Sequence, residues 1–244
     1  MNWRQGLQLV PLCGDLPDVV AVGGDLNPRR VLDAYRNGVF PWPHPPLPLL
    51  WFSPAHRVVL QPRRIHLSRS LRAAMRRNPY VITADQACRE VIRACARMPR
   101  PGQEGSWITD EMIACYTQLH HMGVVHSVEA WHGEELVGGL YGVCIGDLFC
   151  GESMFHHRSN ASKICLATLL AHFARWGVEL VDCQMHTPHV DRFGTASWPR
   201  ERFELVARHL TTRPTRTSPW RLDLDSVAAQ EVLRRVSSTP ASGS

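Results

Sequence analysis

The most regular polarity pattern in the chain runs from Val124 to Gln184. The segments SVEAWH, ELVGGLYGVCIG and DLFCGESMF alternate apolar and polar positions and are separated by HGEE and IGD, which predicts three consecutive antiparallel strands. Gly138, Gly139 and Gly142 interrupt the middle strand and predict a bulge or a close approach of another backbone or a ligand. ASKICLATLLAHFARWG, capped by Ser159 or Asn160 and stopped by Gly177, predicts a helix leading into the strand VELVDCQ. A strand–helix–strand passage of this length is a crossover, so the last two strands should be parallel neighbours. Two polar clusters, Gly151 to Phe155 and Asp182 to Gln184, close these strands; each reads equally as strand-end caps or as chemistry presented to a ligand.

Upstream, Asn27 and Pro28 open a helix that places Val31, Leu32 and Tyr35 on one side before Gly38 ends it. The proline-dense stretch FPWPHPPLPLLWFSP holds Trp42, Trp51 and Phe52 stiffly, as a hydrophobic lid or as a stacking platform for a base. RVVLQP and YVITAD read as strands, with a capped helix SRSLRAAMRRNP between them. Asp85 is expected to cap the helix QACREVIRACARM, whose stripe is Val91, Ala94, Cys95 and Met98, and Thr109 to open DEMIACYTQLHHMG. A further helix, RERFELVARHL, starts near Pro199, and the tail from Ser237 is expected to be disordered. The pattern predicts an α+β protein: a small N-terminal domain over residues 1–62, a larger domain over 63–236 and a tail over 237–244.

Composition narrows the class only slightly. Hydrophobic residues make up 44% and charged residues 20% of 244, and no apolar run approaches the roughly 20 residues a membrane helix needs. A soluble, cytoplasmic protein is expected. The eight cysteines contain no CxxC pair, and the thirteen histidines show no HExxH or finger spacing, so neither a disulfide framework nor a metal site is expected. The net charge of +5 is mild, but Arg57, Arg63, Arg64, Arg69, Arg72, Arg76 and Arg77 fall close together. Such a run is either a solvated helix face or a surface for nucleic-acid phosphates.

The βββαβ order resembles the N-acetyltransferase type of fold. That family carries a glycine-bearing loop before the crossover helix to hold a coenzyme A pyrophosphate. Here the place reads HHRSNASK, without glycine, so coenzyme A is not expected and no cofactor is predicted. More specifically, GGDLNPRRVLDAYRNGVFPW, WFSPAHRVVL, HLSRSLRAAMRR, GSWITDEMIACYTQLHHMG, HSVEAWHGEELVGGLYGV, LFCGESMF, NASK and DCQ together resemble the leucyl/phenylalanyl-tRNA–protein transferase family from about residue 20 to 210.

The resemblance implies a small N-terminal domain followed by an N-acetyltransferase-like mixed sheet flanked by helices. It implies transfer of Leu or Phe, and Met weakly, from aminoacyl-tRNA to the α-amino group of proteins beginning with Arg or Lys, creating an N-degron. The family's adenosine-recognising aromatics fall on Trp42 and Trp107, with Tyr35 and Tyr116 nearby. The pocket for the Leu or Phe side chain falls on Leu140, Phe149, Met154 and Val181; methionine can occupy the Leu140 position in the family. Asp182, Gln184 and Glu152 fall at the catalytic positions. Asp182 would receive a proton or hydrogen bond from the incoming amine, Gln184 would position it, and Glu152 would hold the acceptor's cationic side chain or support Asp182. Arg69, Arg72, Arg76 and Arg77 would meet acceptor-stem phosphates.

Overall fold

A computed structural model describes residues 2–10, 17–99, 106–217 and 219–238. The first part of the chain folds around a four-stranded antiparallel sheet in the order β1 (Gln8–Leu9), β2 (Val19–Val22), β4 (Leu50–Phe52), β3 (Phe40–Pro41). Helix α1 (Pro28–Arg36) precedes β3. Asn27 accepts from the Arg29 amide at 3.0 Å and Gly38 ends the helix at φ +75°, both as the sequence predicts. The little sheet itself is not visible in the sequence, because its strands are only two to four residues long.

The next elements are β5 (His56–Leu60), α2 (Arg69–Arg76), β6 (Val81–Ala84), α3 (Cys88–Arg97) and α4 (Asp110–His121). Then come β7 (Val125–His132), β8 (Glu135–Ile145), β9 (Leu148–His156), α5 (Ala161–Trp176) and β10 (Leu180–Gln184). The described chain finishes with β11 (Ala196–Pro199), α6 (Arg200–Leu210) and α7 (Ser226–Ser238). A seven-stranded sheet runs β11-β5-β10-β9-β8-β7-β6. The predicted meander β7–β8–β9 is antiparallel, and β10 lies parallel to β9 after the crossover through α5. β5 ends two residues before Pro62, yet it pairs with both β10 and β11 inside this large sheet.

The strand period of two sorts β8 between two cores. Tyr141, Val143 and Ile145 join one cluster with Val91 and Ile92 of α3 and Met112 and Leu119 of α4. Leu140 and Cys144 join the other with Ile164, Leu169 and Phe173 of α5. α5 is buried nearly all round because α7 covers the side that the sheet does not, with Ala229 and Leu233 in the same cluster. Gly138 allows this approach, since a Cβ there would lie 2.5 Å from that of Ala161.

Three local expectations change. Asp85 does not cap α3: it sits at φ +58° and accepts from the Ser127 and Trp220 amides and from His126 at 3.0, 2.7 and 2.8 Å. The carboxylate is recruited by strand β7 and the 219–220 segment, and Ala87 takes the cap position without a side-chain bond. Asn160 caps α5 from a left-handed conformation, again without a side-chain bond. Ser237, where the tail is expected to begin, lies in the last turn of α7 and donates to the Ile65 carbonyl at 3.1 Å; residues 239–244 lie outside the described residues.

Candidate active site

Both polar clusters sit on irregularities of adjacent strands. In the β8–β9 ladder Tyr141 faces Ser153 and Gly142 faces Gly151, which leaves Glu152 as the extra residue of a β-bulge. In the β10–β5 ladder Asp182 faces Val59 and Gln184 faces Val58, so Cys183 is extra there. Gly142 is required at the first bulge, because a Cβ would run into the Cys150 carbonyl oxygen and the Phe149 ring. Gln184 adopts φ +63°, a left-handed conformation that is uncommon and strained for a residue with a side chain.

These distortions bring four groups together. Tyr35 donates to Glu152 Oε1 at 2.7 Å, Tyr116 to Oε2 at 3.2 Å and the Gln184 amide to Oε1 at 3.1 Å, while the two phenol oxygens lie 2.6 Å apart. Burial pushes the Glu152 carboxyl up to about 7; the bond from Tyr35 lowers it and the nearby Asp182 charge raises it. Burial, then the Glu152 charge, holds both tyrosines well above the usual phenol range, so they remain protonated donors.

Asp182 lies behind this group and is fully buried. Arg57 Nε and Nη2 donate to its two oxygens at 2.7 and 2.6 Å, and the Gln184 backbone amide donates to Oδ1 at 2.8 Å. Arg57 also donates to the Gly38 carbonyl at 3.0 Å and lies between the rings of Phe40 and Phe203. Arg57 is therefore removed from the basic surface run to which its position in the sequence assigns it. No alternation signals this, since Arg57, Val58, Val59 and Leu60 are all buried.

A cavity of about 760 Å³ opens in front of Glu152 and Gln184. Leu140, Phe149, Met154 and Val181 all line it, and so do Trp42 and Trp107, whose rings meet edge-on at 6.3 Å. Leu166 adds an apolar wall that sequence reasoning missed; it is one of many apolar residues on α5, and nothing in its spacing singles it out. Tyr35 and Tyr116 do not line the cavity. They are buried behind Glu152 and reach the site only through its carboxylate. Asp182 does not line it either. Arg69 and Arg76 on α2 and Arg77 at its C-terminal cap are exposed and Arg72 is half-buried, and among the described residues none of the four makes an ion pair.

Among the described residues no helix is long and apolar enough to cross a membrane, and no group of three His, Cys, Asp or Glu side chains is placed to hold a metal ion. The site offers an apolar chamber, two tryptophans, an amide and a carboxyl that titrates near neutrality. Comparison with known proteins agrees with this composition. The family model described as leucyl/phenylalanyl-tRNA protein transferase matches residues 59–208, and that of its N-terminal domain matches residues 24–55. The chain is 49% identical over 210 residues to the leucyl/phenylalanyl-tRNA–protein transferase of Myxococcus xanthus, covering 86% of this chain and 90% of that protein. It is 50% identical over 208 residues to the protein of the same name from Anaeromyxobacter sp. strain Fw109-5, covering 85% and 88%. With that of Nitratidesulfovibrio vulgaris strain DP4 it shares 47% over 212 residues, covering 86% and 91%. The chain belongs to the leucyl/phenylalanyl-tRNA–protein transferase family of aminoacyltransferases.

Proposed function

We propose that the protein transfers Leu or Phe, and Met weakly, from aminoacyl-tRNA to the α-amino group of proteins that begin with Arg or Lys, creating an N-degron in the cytoplasm. The observation that carries this proposal is the single chamber that joins Trp42 and Trp107, the apolar lining Leu140, Phe149, Met154 and Val181, and the polar pair Glu152 and Gln184. The tryptophans suit a terminal adenosine, where stacking contributes about 1–3 kcal/mol per base. The apolar lining suits Leu or Phe and rejects polar side chains, which would be buried there unpaired.

An aminoacyl ester is already activated, so orientation and exclusion of water carry most of the catalysis, with about 7–11 kcal/mol available from positioning. The amine nitrogen bonds to the ester carbonyl carbon, the bond from that carbon to the ribose oxygen breaks, and one amine proton must reach the departing oxygen. Glu152, pushed up to about 7 and bordering the chamber, is suited to take that proton and return it. The Gln184 amide positions the reacting groups. Asp182 acts through Arg57 and the Gln184 backbone amide as a positioning residue, because it is fully buried behind Glu152 and does not line the chamber. Tyr35 and Tyr116 act through Glu152 in the same way. Exposed arginines on α2 meet the acceptor stem.

The parallel β9–β10 pair joined by α5 supports an N-acetyltransferase-like sheet. The small sheet, complete by Phe52, supports a separate N-terminal unit, and β5, paired inside the seven-stranded sheet, moves the boundary expected at residue 62 to before His56. Incubation with radiolabelled Phe-tRNA and a peptide bearing N-terminal Arg tests the proposal. Label in the peptide is expected; tRNA binding without transfer would reduce the protein to a binding module, and a thermal shift with acetyl-coenzyme A would point to the acetyltransferase alternative.

A further inference from the structure

The chamber has a second polar region, at the start of α5. Ser162, His156 and His189 border the cavity there, and the two imidazole rings lie 6.3 Å apart. Asn160 caps the 16-residue helix without a side-chain bond, so the Ser162 and Lys163 amides begin it with no partner among the described residues. Ser162 is only 3% exposed, and its hydroxyl likewise bonds to none of the described residues. Lys163 is half-buried in the same first turn, where the helix dipole adds about half a positive charge. Partial burial, followed by the charges of Lys163, His156 and Arg192, lowers the affinity of His189 for a proton. The one carboxylate among the described residues that line the chamber, Glu152, is held by Tyr35, Tyr116 and Gln184. Asp191, in the neighbouring turn, is held by His186 and Thr195.

Two free amides, a hydroxyl and two imidazoles, with the Lys163 ammonium in the same helical turn, form a donor set for a phosphate. An acceptor peptide that begins with Arg or Lys would be repelled from it. We propose that the start of α5, with Ser162, Lys163, His156 and His189, is a subsite for the phosphodiester that precedes the aminoacylated nucleoside of the donor. The inference rests on the donor being an aminoacyl-tRNA, as proposed above.

The test uses two charged tRNAs, one natural and one with a neutral methylphosphonate at that single linkage, on the wild-type protein, on Lys163→Gln/His189→Gln and on Ser162→Ala. Wild type should show a KM about tenfold higher for the neutral donor with little change in kcat. The double variant should raise KM for the natural donor and discriminate between the two donors no more than about twofold, with an unchanged melting curve. If wild type uses both donors with equal KM, or if the variants lose equally on both, the subsite does not exist. Transfer from neither donor by wild type would instead defeat the aminoacyl-tRNA reading itself. Should the double variant melt early, Ser162→Ala and the wild-type comparison still decide.

Discussion

Arg57 and Asp182 form a two-point ion pair at 2.7 and 2.6 Å with 1% and 0% of their side chains exposed, and Asp182 passes the constraint to the Gln184 backbone N–H, which donates to it at 2.8 Å. Removing one partner leaves a buried charge unpaired, which costs about 3–5 kcal/mol, whereas removing both together costs far less. Arg57→Leu should therefore lose several kcal/mol in urea denaturation, and Arg57→Leu/Asp182→Leu should recover much of that stability without recovering transfer. A double variant no more stable than Arg57→Leu would mean that the pair is not the source of the loss.

Glu152 links stability to pH. Its carboxyl is pushed up to about 7 in the folded protein from a reference of 4.5, so between those values the folded state holds a proton that the unfolded state has released. Stability from this group is therefore fully present below about pH 4.5 and is lost as pH rises through about 7, by roughly 3 kcal/mol. Glu152→Gln cannot titrate. The urea midpoint of wild type relative to this variant should fall between pH 5 and pH 8, and a difference that is flat with pH would show that the buried carboxyl does not carry the shift.

Gln184 separates strain from function. Its left-handed backbone costs about 1–2 kcal/mol, which Gln184→Gly relieves, while the lost amide bond to Glu152 removes about 1 kcal/mol. Stability should stay within about 1 kcal/mol of wild type. Turnover should fall on the order of a hundredfold if, as proposed, the side-chain amide positions the reacting groups. Near-normal turnover in single-turnover assays would take Gln184 out of the mechanism.

The exposed arginines of α2 give a salt-dependent prediction. Arg76→Glu/Arg77→Glu should weaken tRNA binding irrespective of sequence and flatten the plot of log affinity against log salt by about one unit per lost phosphate contact. Filter binding across a salt series measures it. An unchanged slope would move the acceptor stem elsewhere on the protein.

Gly142→Ala should damage both fold and chamber. Its methyl group would meet the Cys150 carbonyl and the Phe149 ring, and overpacking of this kind costs about 1–3 kcal/mol. Thermal melting should show the loss, and the variant should discriminate less well between Leu and Phe because Phe149 lines the chamber. A normal melt would mean that β8 can shift locally to admit the methyl group.

The periodic elements were legible in the chain alone. Alternation over Val125–His156, the all-round apolar helix Ala161–Trp176 and the caps Asn27, Ser68 and Thr109 are local properties, determined by near neighbours and the periods of strand and helix. The family resemblance also marked Leu140, Phe149, Met154 and Val181, and the fold brings them to one cavity because strands β8, β9 and β10 are adjacent and the faces of neighbouring strands align. What sequence left open depended on partners far along the chain. Arg57 belongs to a basic run until the fold brings it to Asp182, 125 residues away, and Tyr35 and Tyr116 look like ligand-facing aromatics until Glu152 comes between them and the chamber. Asp85 has the position of a helix cap, yet residues 41 to 135 positions away claim its oxygens. Local pattern selects which elements form; the pairing of buried charges and the direction of a bulged side chain arise only when those elements pack, because their energies come from contacts that no short window of sequence contains.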